Sequence, residues 1–426
     1  DDVMLTNNPL VKAADGLRHI WFGSRSPDYL PLTSTSFWLE WRLWGTNPTG
    51  YHVTNVLLHA VSALLVWRVL RRVGVPGAWL AGAIFALHPV NVESVAWITQ
   101  RKNTLAMPFY LLSLLCFLRY DGTSRPSDNA QSRWYWLALT AFVLALLSKT
   151  AVAPLPLVIL GLAWWQRGKL ERSDVWRSVP FFAAALILGL ITVWFQRNVT
   201  ASEIVREDSF WSRVAVAGWA VWFYLFKALL PLGLMPVYPL WKVDPAWALS
   251  YLPGLLLLAG IFLCWYYRRT WGKGWFFCVC YFVVMLLPVV GFENIAFMKA
   301  SLVADHWQYF AIIGPIALVA AGLATGLGLP WKRPAWAPAG AGGVVVLGLG
   351  LLTWRLSAIY ASPEAFWQAA VAGNPDYATA QSNLGAARLE RGKIKEALPH
   401  LEKALELQPG DARAHNNLGN AMRLMG

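Results

Sequence analysis

Ten stretches of nearly uninterrupted apolar residues set what this chain can fold into. They lie at about 53–70, 78–92, 104–118, 134–148, 151–166, 179–195, 249–267, 275–291, 308–328 and 339–357. A bilayer core takes roughly 20 helical residues to cross, and only helices or closed barrels satisfy their backbone groups inside it. The runs therefore predict an all-α polytopic membrane domain over residues 1–357, with about ten spans. The short runs 78–92, 104–118 and 151–166 predict broken or cavity-lining helices. A further run, 214–232, carries Lys227 and ends at Pro231, and reads as an interfacial or re-entrant helix. Composition agrees: 57% of residues are hydrophobic and 14% charged, where a soluble domain carries about 25% charged. A soluble enzyme is therefore not expected.

The net charge of +13 would suggest a nucleic-acid partner in a soluble chain. Here Lys and Arg are densest in 71–77, 119–133, 167–178, 268–274 and 329–338, the pattern of cytoplasmic loops. The basicity is thus a topology signal, and no nucleic acid is expected. This orientation puts 1–50, 91–103, 196–248, 292–307 and everything from 358 onward outside the cytoplasm, consistent with a bacterial inner membrane and a periplasmic tail. The sequon Asn198-Val199-Thr200 falls in one outer loop. Cys116, Cys264, Cys278 and Cys280 sit in apolar runs, so neither disulfides nor a zinc site is expected. The chain starts at Asp1-Asp2 and stops inside a repeat. It reads as a piece whose first anchor lies upstream.

Residues 358–426 lose the apolar character and repeat at a spacing of 34. Asn383-Leu384-Gly385 aligns with Asn417-Leu418-Gly419, Ala380 with Ala414 and Pro375 with Pro409. With Ala397, Leu401 and Ala404 between them, this is a tetratricopeptide (TPR) pattern, an α-solenoid of helix pairs. Trp367, Ala370 and Pro375 supply half of an earlier repeat. Such arrays offer concave surfaces to peptides, or act simply as spacers.

Ionisable groups near membrane helices point to function. His52, Asn55 and His59 share one helical face. His88-Pro89 predicts a helix break, after which Glu93, Trp97 and Arg101 would share a face if the chain stays helical. An acid, an aromatic and a cation on one face suit a sugar phosphate: Trp97 for the ring, Arg101 for the phosphate. Lys102 continues that cationic stretch. A structural Glu93–Arg101 pair is the plainer alternative. Lys149 reads as either a snorkelling anchor or a phosphate contact. Outer segment 292–310 adds Glu293, Lys299, Asp305, His306 and Tyr309, and Asp1-Asp2 precede Asn7 and Asn8. No P-loop, GxGxxG, HExxH or GxSxG is present.

Several strings occur together: Pro31-Leu32-Thr33-Ser34, Gly50-Tyr51-His52-Val53-Thr54-Asn55, Phe85-Ala86-Leu87-His88-Pro89-Val90, Glu93-Ser94-Val95-Ala96-Trp97, Ser148-Lys149-Thr150-Ala151 and Ala304-Asp305-His306. Followed by TPRs, they resemble bacterial relatives of the transmembrane-and-TPR-containing (TMTC) O-mannosyltransferases of the GT-C superfamily. The resemblance implies inverting transfer from a polyprenyl-phosphate sugar to a protein or envelope acceptor on the outer face. It implies an acid just after the first helix, which Asp1 and Asp2 match, as general base. Glu93 is kept as a further catalytic candidate. Arg101, Lys102 and Lys149 would meet the leaving phosphate. Where relatives carry Arg-Tyr after the late Asp, this chain has Asp305-His306-Trp307, so His306 would meet a phosphate only when protonated. No cofactor is required, although a divalent metal is compatible with the chemistry. The TPR would recruit the acceptor. A non-catalytic TPR scaffold for envelope complexes and a lipid-linked oligosaccharide ligase or polymerase are the alternative readings.

Overall fold

In the computed structural model, which describes residues 2–23, 28–122, 129–199, 208–326 and 337–425, every regular element among the described residues is helical. A π-type turn over Asp2–Thr6 leads into α1 (Pro9–Lys12), α2 (Gly16–Phe22) and α3 (Pro31–Trp44). The Asn8 side chain caps α1 by accepting from Leu10 N at 2.9 Å, as Asx caps do. Leu5 and Val11 then pack with Phe37, Tyr51 and Ile98. The entry segment is thereby fixed beside residue 98.

The first long apolar helix, α4 (Pro48–Val73), starts on an Asn47 cap with Pro48 in its first turn. It ends at Gly74, φ +84°, and reverses through Gly77, φ +68°, into α5 (Ala78–Leu87). A Cβ on Gly77 would lie 2.6 Å from Ala320 O, so both left-handed φ and close approach demand glycine there. Helix α5 stops before His88-Pro89, where proline restricts the preceding residue. A 3-10 turn at Pro89–Asn91, the short α6 (Val92–Ala96) and a second 3-10 turn at Ile98–Gln100 then lead to α7 (Arg101–Asp121). The run 78–92 is thus broken, as expected, and its helical part covers only about 15 Å.

Helix α7 runs about 30 Å from end to end. Arg101 opens it beside α6 and the entry segment. Asp121 closes it among the basic loops: Arg167 reaches Asp121 at 2.6 Å and also pairs with Asp174, and Arg177 lies 3.5 Å from Asp121. The remaining helices up to residue 357 are α8 (Asn129–Ser148), α9 (Leu155–Arg167), α10 (Arg172–Val199), α11 (Phe210–Leu229), α12 (Leu252–Tyr266), α13 (Gly272–Leu286), α14 (Ile313–Thr325) and α15 (Ala337–Ser357). Among the described residues, five stretches are long and apolar enough to cross a bilayer: Pro48–Val73, Arg172–Gln196, Ala248–Tyr266, Gly272–Val289 and Ala337–Ala361. Ala78–Leu87, Ser132–Ser148 and Ile313–Thr325 are shorter apolar helices. Leu255, Leu258 and Phe262 on α12, and Val344, Leu347 and Leu351 on α15, are exposed. Such apolar faces suit a hydrocarbon surround.

Beyond α15 come α16 (Pro363–Gly373), α17 (Ala378–Glu390), α18 (Ile394–Leu407) and α19 (Ala412–Met425). The repeat positions are the packed ones: Ala380, Ala397, Leu401, Ala404 and Ala414 are fully buried. A Cβ on Gly385 would meet Leu401 Cδ2 at 2.6 Å, so glycine lets α17 and α18 close into one full repeat. Glu364 receives Arg391 at 2.7 Å and Lys393 at 2.9 Å, tying α16 to the α17–α18 turn.

Candidate active site

The breaks at His88-Pro89 and Trp97 decide which side chains meet. Trp97 is extended, at ψ 111°, so the chain does not continue helically from Glu93 to Arg101. The expected shared face of Glu93, Trp97 and Arg101 does not form, nor does a Glu93–Arg101 pair. Glu93 turns instead to a residue 213 positions away: its Oε2 accepts from His306 N at 2.9 Å. Its Oε1 stands 2.9 Å from His306 Nδ1, though off the direction of a hydrogen bond. Next to it, Asp305 Oδ1 accepts from the Tyr238 hydroxyl at 2.8 Å. Glu93, Asp305 and His306 are all buried.

Asn103 is the hub of the cluster. Its amide donates to Ser94 Oγ at 2.9 Å, to Gln100 Oε1 at 3.3 Å and to His306 O at 3.1 Å, while its Oδ1 accepts from Lys149 Nζ. Lys149 thus stands at the site, at the end of α8. Thr33 Oγ1 donates to Ser148 O at 2.9 Å, pinning that end to α3. Lys149 is half-buried, and its ammonium interacts electrostatically with Lys102, Glu93 and Asp28. Lys102 acts on Glu93 and His306 as well. Trp97 covers His306 edge-on, ring centroids 6.0 Å apart, and Phe297 lies 5.7 Å away on another side.

Burial governs the charges. It raises the Glu93 carboxyl to about 8, against the opposing pull of the His306 N–H, Lys149 and Lys102. Asp305 is held well above the usual carboxylate range by burial and then by Glu93. His306 is held well below the usual imidazole value by burial and then by the two lysines. Burial, then Lys102, holds Lys149 well below the usual ammonium value. Glu93 and His306 therefore form a neutral pair at rest. His306 does not supply the cation that it would offer a phosphate when protonated.

This electrostatic state has a measurable consequence. Between its ordinary value of 4.5 and about 8, folded Glu93 keeps a proton that the unfolded chain has released. Stability contributed by this group is therefore lost as pH rises through that window. His306 has the opposite sign, but only below its ordinary 6.5. Between pH 6.5 and 8, wild type should lose about 2 kcal/mol that Glu93→Gln does not lose. Thermal unfolding in detergent at both pH values measures this, and equal slopes for the two proteins would refute it.

Other expected site residues have structural posts. Arg101 is 1% exposed. It donates to Glu40 Oε2 at 2.7 Å, to Tyr51 O at 2.9 Å and to Asn55 Oδ1 at 2.6 Å. Each of its three guanidinium nitrogens thus has a partner within the protein. Asn55 also accepts from Thr104 at 3.0 Å and donates to Val95 O at 3.2 Å. His59 joins Tyr309 OH at 2.8 Å to Ala86 O at 3.2 Å. His88 Nδ1 accepts from Val90 N and its Nε2 donates to Ala228 O at 3.1 Å. Asn55, His59 and His88 are thus bonded within the protein rather than offered to a substrate. His52 is half-buried on the same α4 face as Asn55 and His59. Asp1 and the Asp2 side chain lie outside the described residues, as do Thr200 and the Asn198 side chain of the sequon. The backbone from residue 2, however, is held beside Ile98 through Leu5. Tyr238, Asn103 and Asp28 were not singled out by sequence. Of these, Asn103 alone carried a local signal, as a polar residue continuing Gln100-Arg101-Lys102. Among the described residues no group of three or more His, Cys, Asp or Glu converges as a metal site.

Residues 28–195 match the family described as dolichyl-phosphate-mannose-protein mannosyltransferase, and residues 385–426 match the TPR repeat. Human protein O-mannosyl-transferase TMTC3 is 24% identical over 93% of this chain and 46% of that protein. Mouse protein O-mannosyl-transferase TMTC2 is 40% identical over 46% of this chain and 22% of that protein. The chain thus spans at most about half the length of these relatives. A solved structure, ArnT from Cupriavidus metallidurans bound to undecaprenyl phosphate, aligns over 96% of this chain and 78% of that one at 15% identity. Its TM-score is 0.36, and no detail is carried over from it. Fold and similarity together describe an integral membrane protein with an all-helical membrane domain that is similar to O-mannosyltransferases over residues 28–195. Its similarity is to the TMTC proteins in particular, since the mannosyltransferase match in the membrane part is followed by TPR repeats.

Proposed function

We propose that this chain transfers a mannose-type sugar from a polyprenyl-phosphate donor to a hydroxyl of a protein acceptor, on the extracytoplasmic side of the membrane. The observation that carries this is the meeting of Lys149 and Lys102 with Glu93, Asp305 and His306 at the end of α7 remote from the basic loops. The positive-inside pattern supports an outward-facing site, which a bacterial inner membrane with a periplasmic TPR would provide. A membrane domain over 1–357 would do the chemistry, and repeats over 358–426 would recruit the acceptor.

The acceptor oxygen attacks the anomeric carbon in line as the bond from that carbon to the phosphate oxygen breaks. The electron pair leaves with the phosphate, and the hydroxyl proton goes to a general base. Glu93, held protonated by burial, is a hydrogen-bond donor rather than a base at neutral pH. The base is taken to be Asp1 or Asp2, as the family resemblance implies. Lys149, with Lys102 beside it, faces the charge gathering on the phosphate. Trp97 is the half-buried ring against which the sugar would lie.

The test is reconstitution in detergent with polyprenyl-phosphate mannose and a Thr-containing peptide, read by mass spectrometry of the peptide. Mannosylated peptide is the expected product, formed equally with and without EDTA because the lysines neutralise the phosphate. No product under any lipid-linked donor would overturn the transferase reading. Product that disappears with EDTA and returns with added divalent cation would overturn the metal-free form of it.

A further inference from the structure

We propose that Tyr360 and Phe366, at the base of the TPR array, form the acceptor wall of the transfer site and read the residues that flank the acceptor hydroxyl. This rests on the transferase reading above. A spacer would sit on the membrane domain without touching its polar centre, whereas this base is built into that centre. The Phe366 ring lies 6.5 Å from Trp97 and 5.7 Å from Tyr360. Tyr360 interacts electrostatically with both the Glu93 and the Asp305 carboxyls. All three rings are half-buried. They stand beside a buried acidic cluster and are themselves only partly buried.

The seat of α16 is specific. Asn374, at its end, is buried and donates to Tyr238 O at 3.4 Å. The hydroxyl of that same Tyr238 holds Asp305 at 2.8 Å. A Cβ on Gly373 would meet Met235 Sδ at 2.6 Å, so the helix end is pressed onto the loop that carries Tyr238. On the linker side, Thr353 Oγ1 donates to Leu87 O at 2.7 Å, one residue before His88. Position and orientation of α16 relative to Glu93 are therefore fixed from both ends. Trp97 comes from the membrane domain and Phe366 from the TPR. A polypeptide lying across this aromatic rim would present its hydroxyl to the acidic cluster while its neighbouring side chains lie on Phe366 and Tyr360. The ligand this rim fits is an unfolded or extended peptide with an apolar or aromatic residue near its Ser or Thr, since aromatic rings gain most from such contacts.

In the full chain, Phe366→Ala should raise KM for a Thr peptide with a flanking Leu about tenfold, with kcat changed less than twofold. Phe366→Leu should recover most of that loss. A flanking Gly in the peptide should abolish the difference between variant and wild type. A photo-crosslinking residue placed at 366 should capture the same defined peptide. If wild type mannosylates the peptide but KM is insensitive at 366 and no crosslink forms, the acceptor wall is wrong while the transferase reading stands. If the crosslink forms and no sugar is ever transferred, the transferase reading fails and the peptide site remains. A loss in kcat equal to the change in KM, unrescued by Leu, would mark Phe366 as merely structural and overturn the proposal.

Discussion

Replacing Lys149 by Gln should lower sugar transfer by about 10²–10³-fold, the loss seen when one preorganised partner of a developing charge is removed. The variant should still fold. Gln keeps a donor for the Asn103 Oδ1 that Lys149 Nζ contacts, and it sheds an ammonium that burial and Lys102 disfavour. The lost term is the charge. At rest the lysine is held below its usual value, and an arriving phosphate adds the anion that restores it. Donor binding in wild type should therefore take up protons, and the apparent affinity should weaken as pH rises. Lys149→Gln should remove that pH dependence along with the activity. Radiolabel transfer from the lipid donor, measured beside folded yield on size-exclusion chromatography, separates chemistry from stability. A loss below fivefold would take the phosphate role away from Lys149.

The helices were readable because apolar runs and the 34-residue repeat are local patterns. Ala380, Leu384, Ala397, Leu401 and Ala414 are packed where the repeat requires small or apolar residues. His88-Pro89 announced the break that aims Glu93 inward. The partnerships of the site were less legible, because they join distant segments. Nothing near Glu93 names His306, and nothing near Arg101 names Glu40, which lies 61 residues earlier. Extending the helix through Trp97 put Glu93 and Arg101 on one face. A single extended residue separated them into two clusters with different chemistry. Lys149 was ambiguous because a lysine ending an apolar run has the same pattern whether it snorkels or turns inward. Only the Asn103 hub, assembled from α6, α7 and the 305–308 turn, distinguishes the two.

Arg101→Met should cost about 3–5 kcal/mol of stability, the expected penalty for breaking one side of a buried ion pair. Its guanidinium is enclosed, also lies 5.4 Å from the Phe37 ring, and bridges α3, α4 and the start of α7. Without it, Glu40 keeps a buried carboxylate with no cation, and Asn55 Oδ1 and Tyr51 O each lose a donor. Lysine is no remedy, because one ammonium cannot reproduce a fork aimed at three acceptors. The decisive comparison is the double replacement Arg101→Met with Glu40→Leu. If Arg101 is a strut, removing both charges should recover most of the folded yield and unfolding temperature, since an apolar pair of similar volume is often no worse than a buried ion pair. Transfer activity should then return with folding. If Arg101 instead grips the donor phosphate, the double variant would fold yet stay inactive. Unfolding in detergent followed by tryptophan fluorescence, with transfer measured on the same samples, separates these outcomes. A folded, inactive double variant would return Arg101 to the phosphate site.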